Sequence, residues 1–421
     1  MLPVYYISTI VLLTTLTDPV SGDATTSSNA CPFNSVSATY FSQYNVITTG
    51  DFSSTSDVEN QTIVCGSLKS NQANYCIHID QNNFNAKSPC LEINGALPSG
   101  GGSPNVQVGS VSVGSNPVHT LTKKGTTQYQ IDQLQFNLNG GNQGATAFVD
   151  SNLPSKCAAI TSGLQTLSSS LFQITPNNNA TIPSGQPSPL NLNVNNVDSN
   201  GIAIFNLSGS SVLANKYVQQ IQININNANC KFILINLYGT AVNFNQGNLV
   251  GSWITNLNGR AKTLWNCPQA TTMNLQQNLQ GALLAPNAVV QASSNIDGAT
   301  AVKSLTTQSE LHNPPIQFPC LAAVEKAPVS TLSSTTPKAT TTSTVAPTTT
   351  TSTTNFTYFI LQKRMQNVHG SQSLIIVLYA RERYRILSER LQCQRRRRPP
   401  LKPPLHQLLL QQQQRLLLLQ V

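Results

Sequence analysis

The stretch Asn278-Leu279-Gln280-Gly281-Ala282-Leu283-Leu284-Ala285 recurs seventeen residues later as Asn295-Ile296-Asp297-Gly298-Ala299-Thr300-Ala301-Val302. A looser copy precedes both, Asn248-Leu249-Val250-Gly251-Ser252-Trp253-Ile254-Thr255. Each copy is a polar turn residue, two spacers, a Gly, and then small or β-branched residues. A unit this short cannot bury a face alone, so it must stack on its neighbours. The predicted product is a β-solenoid whose stack ends near Leu305. Ser252, Ala282 and Ala299 would supply a column of small residues at an inward corner.

Between Cys31 and Cys320 the chain alternates short strand-like runs with Gly, Asn and Pro. Tyr44–Ile47, Gln61–Val64, Val106–Val113, Tyr217–Ile225 and Lys231–Tyr238 are such runs. One segment differs. From Ser155 to Leu171 the apolar residues Ala158, Ile160, Leu164, Leu167 and Leu171 recur at three- and four-residue spacing, which predicts an amphipathic helix. The expected fold class is therefore all-β dominated: a β-helix or solenoid with one flanking α-helix, followed by a disordered Ser/Thr-rich stalk.

Four segments are expected along the chain. Residues 1–22 read as a secretory signal peptide, with an apolar run from Leu2 to Leu16 and small residues before cleavage at Gly22; an uncleaved anchor is the alternative. Residues 31–320 form the folded domain. Residues 324–355 are dominated by Thr, Ser, Pro and Ala and read as a mucin-like stalk. Residues 356–421 form a basic, Gln/Leu-rich tail. From 395 to 420 that tail holds only Arg, Pro, Leu, His and Gln besides Lys402. Those five amino acids share codons beginning with C, and such codons ending in A become Thr when shifted by one nucleotide. A frameshifted stalk and a real basic tail that binds acidic partners both remain open. No apolar run in 356–421 is long enough to span a bilayer.

The formal charge of +9 is no argument for nucleic acid. From Asp23 to Cys320 ten Lys and Arg face eleven Asp and Glu, and the excess follows Leu321. Eight cysteines lie in the folded part: Cys31, Cys65, Cys76, Cys90, Cys157, Cys230, Cys267 and Cys320. An even number in a secreted chain predicts four disulfides, among roughly a hundred possible connectivities. Cys393 is left over. Sequons at Asn60, Asn179 and Asn206 fit a secretory-pathway surface.

Candidate chemistry is sparse. Asp51, Asp57 and Glu59 form the one local acidic group; they read either as a Ca²⁺ site or as turn and cap residues. His78-Ile79-Asp80 and Glu310-Leu311-His312 read as ordinary surface residues. No G-x-S-x-G, Walker A or H-E-x-x-H occurs, and no cofactor is expected.

Three segments carry a resemblance. They are Tyr44-Asn45-Val46-Ile47-Thr48-Thr49-Gly50-Asp51-Phe52, Cys230-Lys231-Phe232-Ile233-Leu234-Ile235-Asn236-Leu237-Tyr238-Gly239, and the run from Leu264-Trp265-Asn266 to Leu311-His312-Asn313. The third contains Gly281-Ala282-Leu283-Leu284-Ala285-Pro286-Asn287-Ala288 and Val302-Lys303-Ser304-Leu305. Together, over about Tyr44 to Phe318, they resemble the choice-of-anchor A domain, an adhesive module of surface proteins. Asn60 departs from that family's usual Gly, and Cys65 and Cys267 lie outside its general pattern. The resemblance implies surface display and no catalytic residues.

The expected function is thus a secreted or surface-displayed, non-catalytic adhesive or matrix protein. Its expected partner is an extracellular protein or glycan surface, not nucleic acid and not a membrane. A carbohydrate-active β-helix enzyme, and a solenoid binding ice or crystalline polysaccharide, are the alternatives. For the last, a repeated surface Thr column is the discriminating feature. The fifth position after the Asn is Trp253, Leu283 and Thr300 in the three copies, which is no such column. Trp253 reads as a core residue or as a sugar-stacking one.

Overall fold

The computed structural model describes residues 31–79 and 84–321. The signal-peptide, stalk and tail segments, Asp80 and Cys393 lie outside the described residues.

The described chain is a β-solenoid. Its first face is a ladder of ten strands, all pairing in parallel: 147–150, 110–114, 89–93, 62–64, 46–48, 300–307, 282–292, 263–266, 232–238 and 202–208. A second face stacks 241–244, 272–275, 289–292, 304–307 and 52–54. On the third, 188–194, 218–225 and 248–250 pair in parallel, as do 279–280, 296–297 and 311–312. Single bridges through Val58 join Leu311 to Tyr75, and so to 105–106 and 134–138. A small antiparallel flap, 121–123 with 128–131, closes that end.

The rungs are not in chain order. The first strand, 46–48, pairs with both 62–64 and 300–302 and so sits between the second rung and the last. From there the chain climbs outward to Ala147–Asp150. Helix α2 (Leu153–Phe172) then carries it back along the first face. Twenty residues at 1.5 Å each span about 30 Å, or about six rung spacings of 4.8 Å. The linker 173–187 completes the return, and the chain walks down from the far end to meet its own beginning.

Two apolar layers result. Phe52, Tyr75, Phe136, Phe205, Phe244, Trp265 and Leu283 fill the solenoid interior. Ile47, Ile63, Leu234, Leu264, Leu284 and Ala301 face outward and are covered by α2 and by α1 (Val36–Gln43). Strands buried on both sides need continuous apolar runs, which is why Phe232-Ile233-Leu234-Ile235 does not alternate. Helix α2 packs Leu153, Cys157, Ile160, Leu164, Leu167 and Leu171 against that face. Ala158, expected on the apolar stripe, is exposed.

Ala282 and Ala299 stack as expected, but under the helices rather than at an inward corner. Ser252 is exposed and outside the column, because the strand of the third copy stops at Val250 and residues 251–256 turn. Glycine makes a second corner. Gly50 donates to the Lys303 carbonyl, Gly66 to Gly50 at 3.0 Å, and Gly95 to Gly66 at 2.8 Å. A Cβ at Gly66 would lie 2.5 Å from the Gly50 oxygen.

Among the described residues three disulfides, not four, are formed: Cys31–Cys320, Cys65–Cys157 and Cys76–Cys90. Cys230 and Cys267 are free thiols. They stand at opposite ends of neighbouring parallel strands, 232–238 and 263–266. About seven strand residues separate their levels, roughly 23 Å, far beyond the reach of a bridge. Burial pushes the Cys267 thiol up to about 12. Cys31–Cys320 ties the ends together beside the stacked rings of Phe33 and Phe318, whose centroids are 4.4 Å apart.

Candidate binding surface

The acidic group at Asp51, Asp57 and Glu59 does not converge on one point. Asp51 accepts from the Ser67 amide at 3.0 Å and pairs with Lys69 at 3.2 Å. Asp57 accepts from the Asn74 side-chain amide at 2.7 Å. Glu59 accepts from the Asn313 amide at 2.7 Å and meets His78 Nδ1 at 2.7 Å. Each carboxylate is occupied by its own turn or rung partner. Among the described residues no three His, Cys, Asp or Glu side chains could share a metal ion.

Asp57 instead ends an amide ladder on the third face. Asn74 donates to Asp57, Asn105 to Asn74 at 2.8 Å, and Asn137 to Asn105 at 3.0 Å. Farther along, Asn224 donates to Asn193 at 2.9 Å and Asn226 to Asn195 at 2.8 Å. Ladders like these satisfy successive rungs sideways and explain the Asn-rich composition.

The closing rungs, beside the seam, hold a cluster of charged side chains. His312 Nδ1 lies 2.7 Å from Asp297, and its Nε2 lies 2.7 Å from Glu310. Arg260 reaches Asp297 at 3.1 Å and the Asn278 amide donates to it at 3.0 Å. The Asp297 hydrogen bond raises the His312 pKa to about 9 against the opposing effect of burial, with Glu310 assisting. Burial alone would raise Asp297, but His312, Asn278 and Arg260 outweigh it and hold the carboxyl low. Glu310 is exposed and pairs with His312 on the same rung, while His312 is partly buried against Asp297 of the preceding rung.

A pH dependence follows. His312 titrates above the ordinary imidazole range in the folded state, so its contribution is complete below about pH 6.5 and is lost as pH rises through about 9. Discounted for partial exposure, the expected loss is roughly 2 kcal/mol. Denaturant midpoints at pH 6 and pH 9.5 should show it, and His312→Gln should flatten the slope. An unchanged slope in that variant would remove His312 from the account.

The second face is different in kind. Its outward positions form two columns, Ala241–Thr272–Val289–Ser304 and Asn243–Asn274–Gln291–Thr306. Neither column contains an ionisable side chain. Most of these residues are exposed, Val289 by 44%. Rungs about 4.8 Å apart and alternate residues about 6.6 Å apart set them on a regular, flat net. Charge enters at its edge, through Asp51, Lys69 and the exposed Lys303.

The positions expected to test a Thr column do not lie here. Leu283 points into the core, Thr300 is 1% exposed, and Trp253 is half-buried with its indole N–H on Thr263 at 2.9 Å. Beyond the irregularity between Ala285 and Val289 the strand starts a new alternation, and only there do side chains reach the surface. Only a partial signal was present, in Val289-Val290-Gln291-Ala292 and Ser304-Leu305-Thr306-Thr307 fifteen residues apart, where Val289 and Thr307 break the period-two alternation.

A family model described as "Putative Ice-binding-like adhesive domain" matches residues 38–313. The chain belongs to this adhesive-domain family. The match runs from helix α1 through the first strand and α2 to the last rung. No curated protein matches the chain. Among solved structures, an ice-binding protein with antifreeze activity from an Arctic yeast shares 11% identity over 66% of this chain and 94% of its own, with a TM-score of 0.24. Ice-binding proteins from the Antarctic ascomycete Antarctomyces psychrotrophicus (10%, 65% and 97%, 0.23) and from an Antarctic Flavobacteriaceae bacterium (12%, 64% and 64%, 0.25) are similarly distant. At those scores nothing is transferred from them, and the solenoid assignment rests on the rung pairing itself. Among the described residues no helix is long and apolar enough to cross a membrane.

Proposed function

We propose that this adhesive domain works outside the cell as a non-catalytic binder, laying its second face on an ordered, hydroxyl-rich surface such as a glycan or glycosylated protein. The observation that carries the reading is the pair of uncharged columns on a rigid net. A flat array of small amides and hydroxyls makes many weak contacts at once. Because the solenoid fixes their spacing in advance, little ordering entropy is lost on binding. The disulfides and sequons support an extracellular setting. The finer assignment to choice-of-anchor A, with residues 324–355 as a stalk behind the domain, belongs to the same proposal.

The same absence of charge favours a second reading, in which the ordered surface is ice or crystalline polysaccharide. The enzyme alternative has weaker support, since the acidic side chains named above are taken up by structural partners. One experiment separates all three. The full chain is tested on immobilised glycans and matrix proteins, on crystalline polysaccharide and on ice, with product release followed in parallel. Gln291→Arg and Thr306→Arg should each lower surface binding at least tenfold while leaving the denaturation midpoint unchanged. Binding that survives both substitutions would move the site off this face, and soluble sugar products would favour the enzyme.

A further inference from the structure

The far end of the stack is closed by the linker that follows α2. Asn177 takes the place of a strand residue on the free edge of 202–208: its side chain donates to the Ile202 carbonyl at 3.0 Å and accepts from the Ile204 amide at 2.8 Å. Asn178, 5% exposed, accepts from the amides of Asn195 and Asn196 at 3.0 Å each. An uncovered edge strand is a template for pairing with another chain; Asn177 occupies that template at Ile202 and Ile204 on the first face, while Asn178 ties down the residues that follow strand 188–194. On the third face the end strand, 188–194, pairs on one side only. Beside it runs a groove of 360 Å³ lined by Asn179, Thr181, Pro183, Pro189, Asn191 and Asn193.

The three sequons among the described residues differ at this point; a fourth, Asn355-Phe356-Thr357, lies outside them. Asn179 and Thr181 are both exposed, and the Asn179 side chain makes no hydrogen bond among the described residues. Asn60 is half-buried at the seam; its amide donates to Asn313 at 3.1 Å, its oxygen accepts from Gln61 at 2.8 Å, and Thr62 is wholly buried. Asn206 lies within strand 202–208 with its side-chain oxygen buried, and Ser208 caps the helical turn at Gly209–Leu213.

We infer that, of the three sequons in the described residues, Asn179 alone carries an N-linked glycan, and that its first sugars lie in this groove and shield the edge of strand 188–194. A sugar on Asn60 would have to leave through packed structure and one on Asn206 would have to grow from within the strand ladder, so chains modified at either do not complete the fold. The inference rests on the extracellular reading above.

The test is expression of the full chain through a eukaryotic secretory pathway. The secreted material is treated with a peptide N-glycosidase in heavy-oxygen water, and site occupancy is read by mass spectrometry. Asn179 should carry the label, and Asn60 and Asn206 should not. Asn179→Gln should be secreted, lighter by one glycan, and should self-associate in light scattering where the wild-type chain stays monomeric. A secreted chain with Asn179 unlabelled, or with Asn60 or Asn206 labelled, overturns the site assignment. An Asn179→Gln variant that stays monomeric overturns the shielding role. Failure of the wild-type chain to leave the cell overturns the extracellular reading and the inference with it.

Discussion

Gly66→Val is expected to destabilise the domain by about 3–5 kcal/mol, or to prevent folding altogether. At this corner each rung sits directly on the next, Gly50 over Lys303, Gly66 over Gly50 and Gly95 over Gly66. A Cβ at Gly66 would lie 2.5 Å from the Gly50 oxygen and 2.8 Å from the Asp51 nitrogen. Both are backbone atoms already engaged in the ladder, so neither can swing aside as a side chain would. The rungs would have to part, which breaks inter-rung hydrogen bonds and opens the close-packed interior beside Phe52. Gly125→Ala is the control, because nothing lies within 4 Å of its Cβ position. Denaturant midpoints of the two variants measure the contrast. A Gly66→Val domain within 1 kcal/mol of wild type would mean that the corner is loose.

The stack was legible where its pairing is local. Asn278–Ala285 and Asn295–Val302 are true neighbours, with Leu283 opposite Thr300, because one rung takes seventeen residues there. Helix α2 was legible from its periodicity, and its start moved two residues upstream because Pro154 fits the first turn, where its missing N–H costs nothing. The circular closure was not legible. Val46 pairs with Thr300 across more than two hundred and fifty residues, and such a pairing leaves no periodic trace in either segment. Asn45 shows what holds that seam. Its side-chain amide donates to the carbonyls of Gly298 and His312 at 3.2 and 3.0 Å, although in sequence it is only one polar residue before a strand. The binding columns were missed for a related reason. The recurring Asn-x-x-Gly unit marks the buried face, so the positions it draws attention to point into the core or under the helices. Within strand 282–292 the outward positions begin only after Pro286-Asn287. Cysteine number likewise suggested four bridges, but number carries no information about which strand end each thiol occupies.

Removing the ammonium of Lys156 should be the second large effect, about 3 kcal/mol in Lys156→Ala. The first turn of α2 places Lys156 Nζ 2.9 Å from both oxygens of Glu92, which stands on strand 89–93 and is 1% exposed. Tyr44 completes the group: its hydroxyl donates to Glu92 and accepts from Lys156 at 2.7 Å. Burial, reinforced by the neighbouring carboxylate, pushes the Tyr44 phenol well above its usual range, so it remains a donor throughout the accessible pH range. The Lys156 charge also lies over the Tyr44 ring at 5.2 Å and the Tyr40 ring at 5.6 Å. Taking away the lysine leaves a buried carboxylate with Tyr44 as its remaining named donor, and the desolvation already incurred is no longer offset. The pair itself need not be strongly stabilising, since two desolvated charges gain little over well-packed apolar side chains. Its use is to fix where α2 begins along the first face, one turn from the Cys65–Cys157 bridge. On a Tyr44→Phe background, which leaves no hydroxyl stranded, Glu92→Leu combined with Lys156→Met should therefore fold within about 1 kcal/mol of that background, while either change that strands a charge should not. A denaturant double-mutant cycle at neutral pH reads both quantities. Equal stability for Lys156→Ala and the double variant on that background would show that Glu92 finds water or another donor when the lysine is gone, and that the helix is held by its apolar stripe alone.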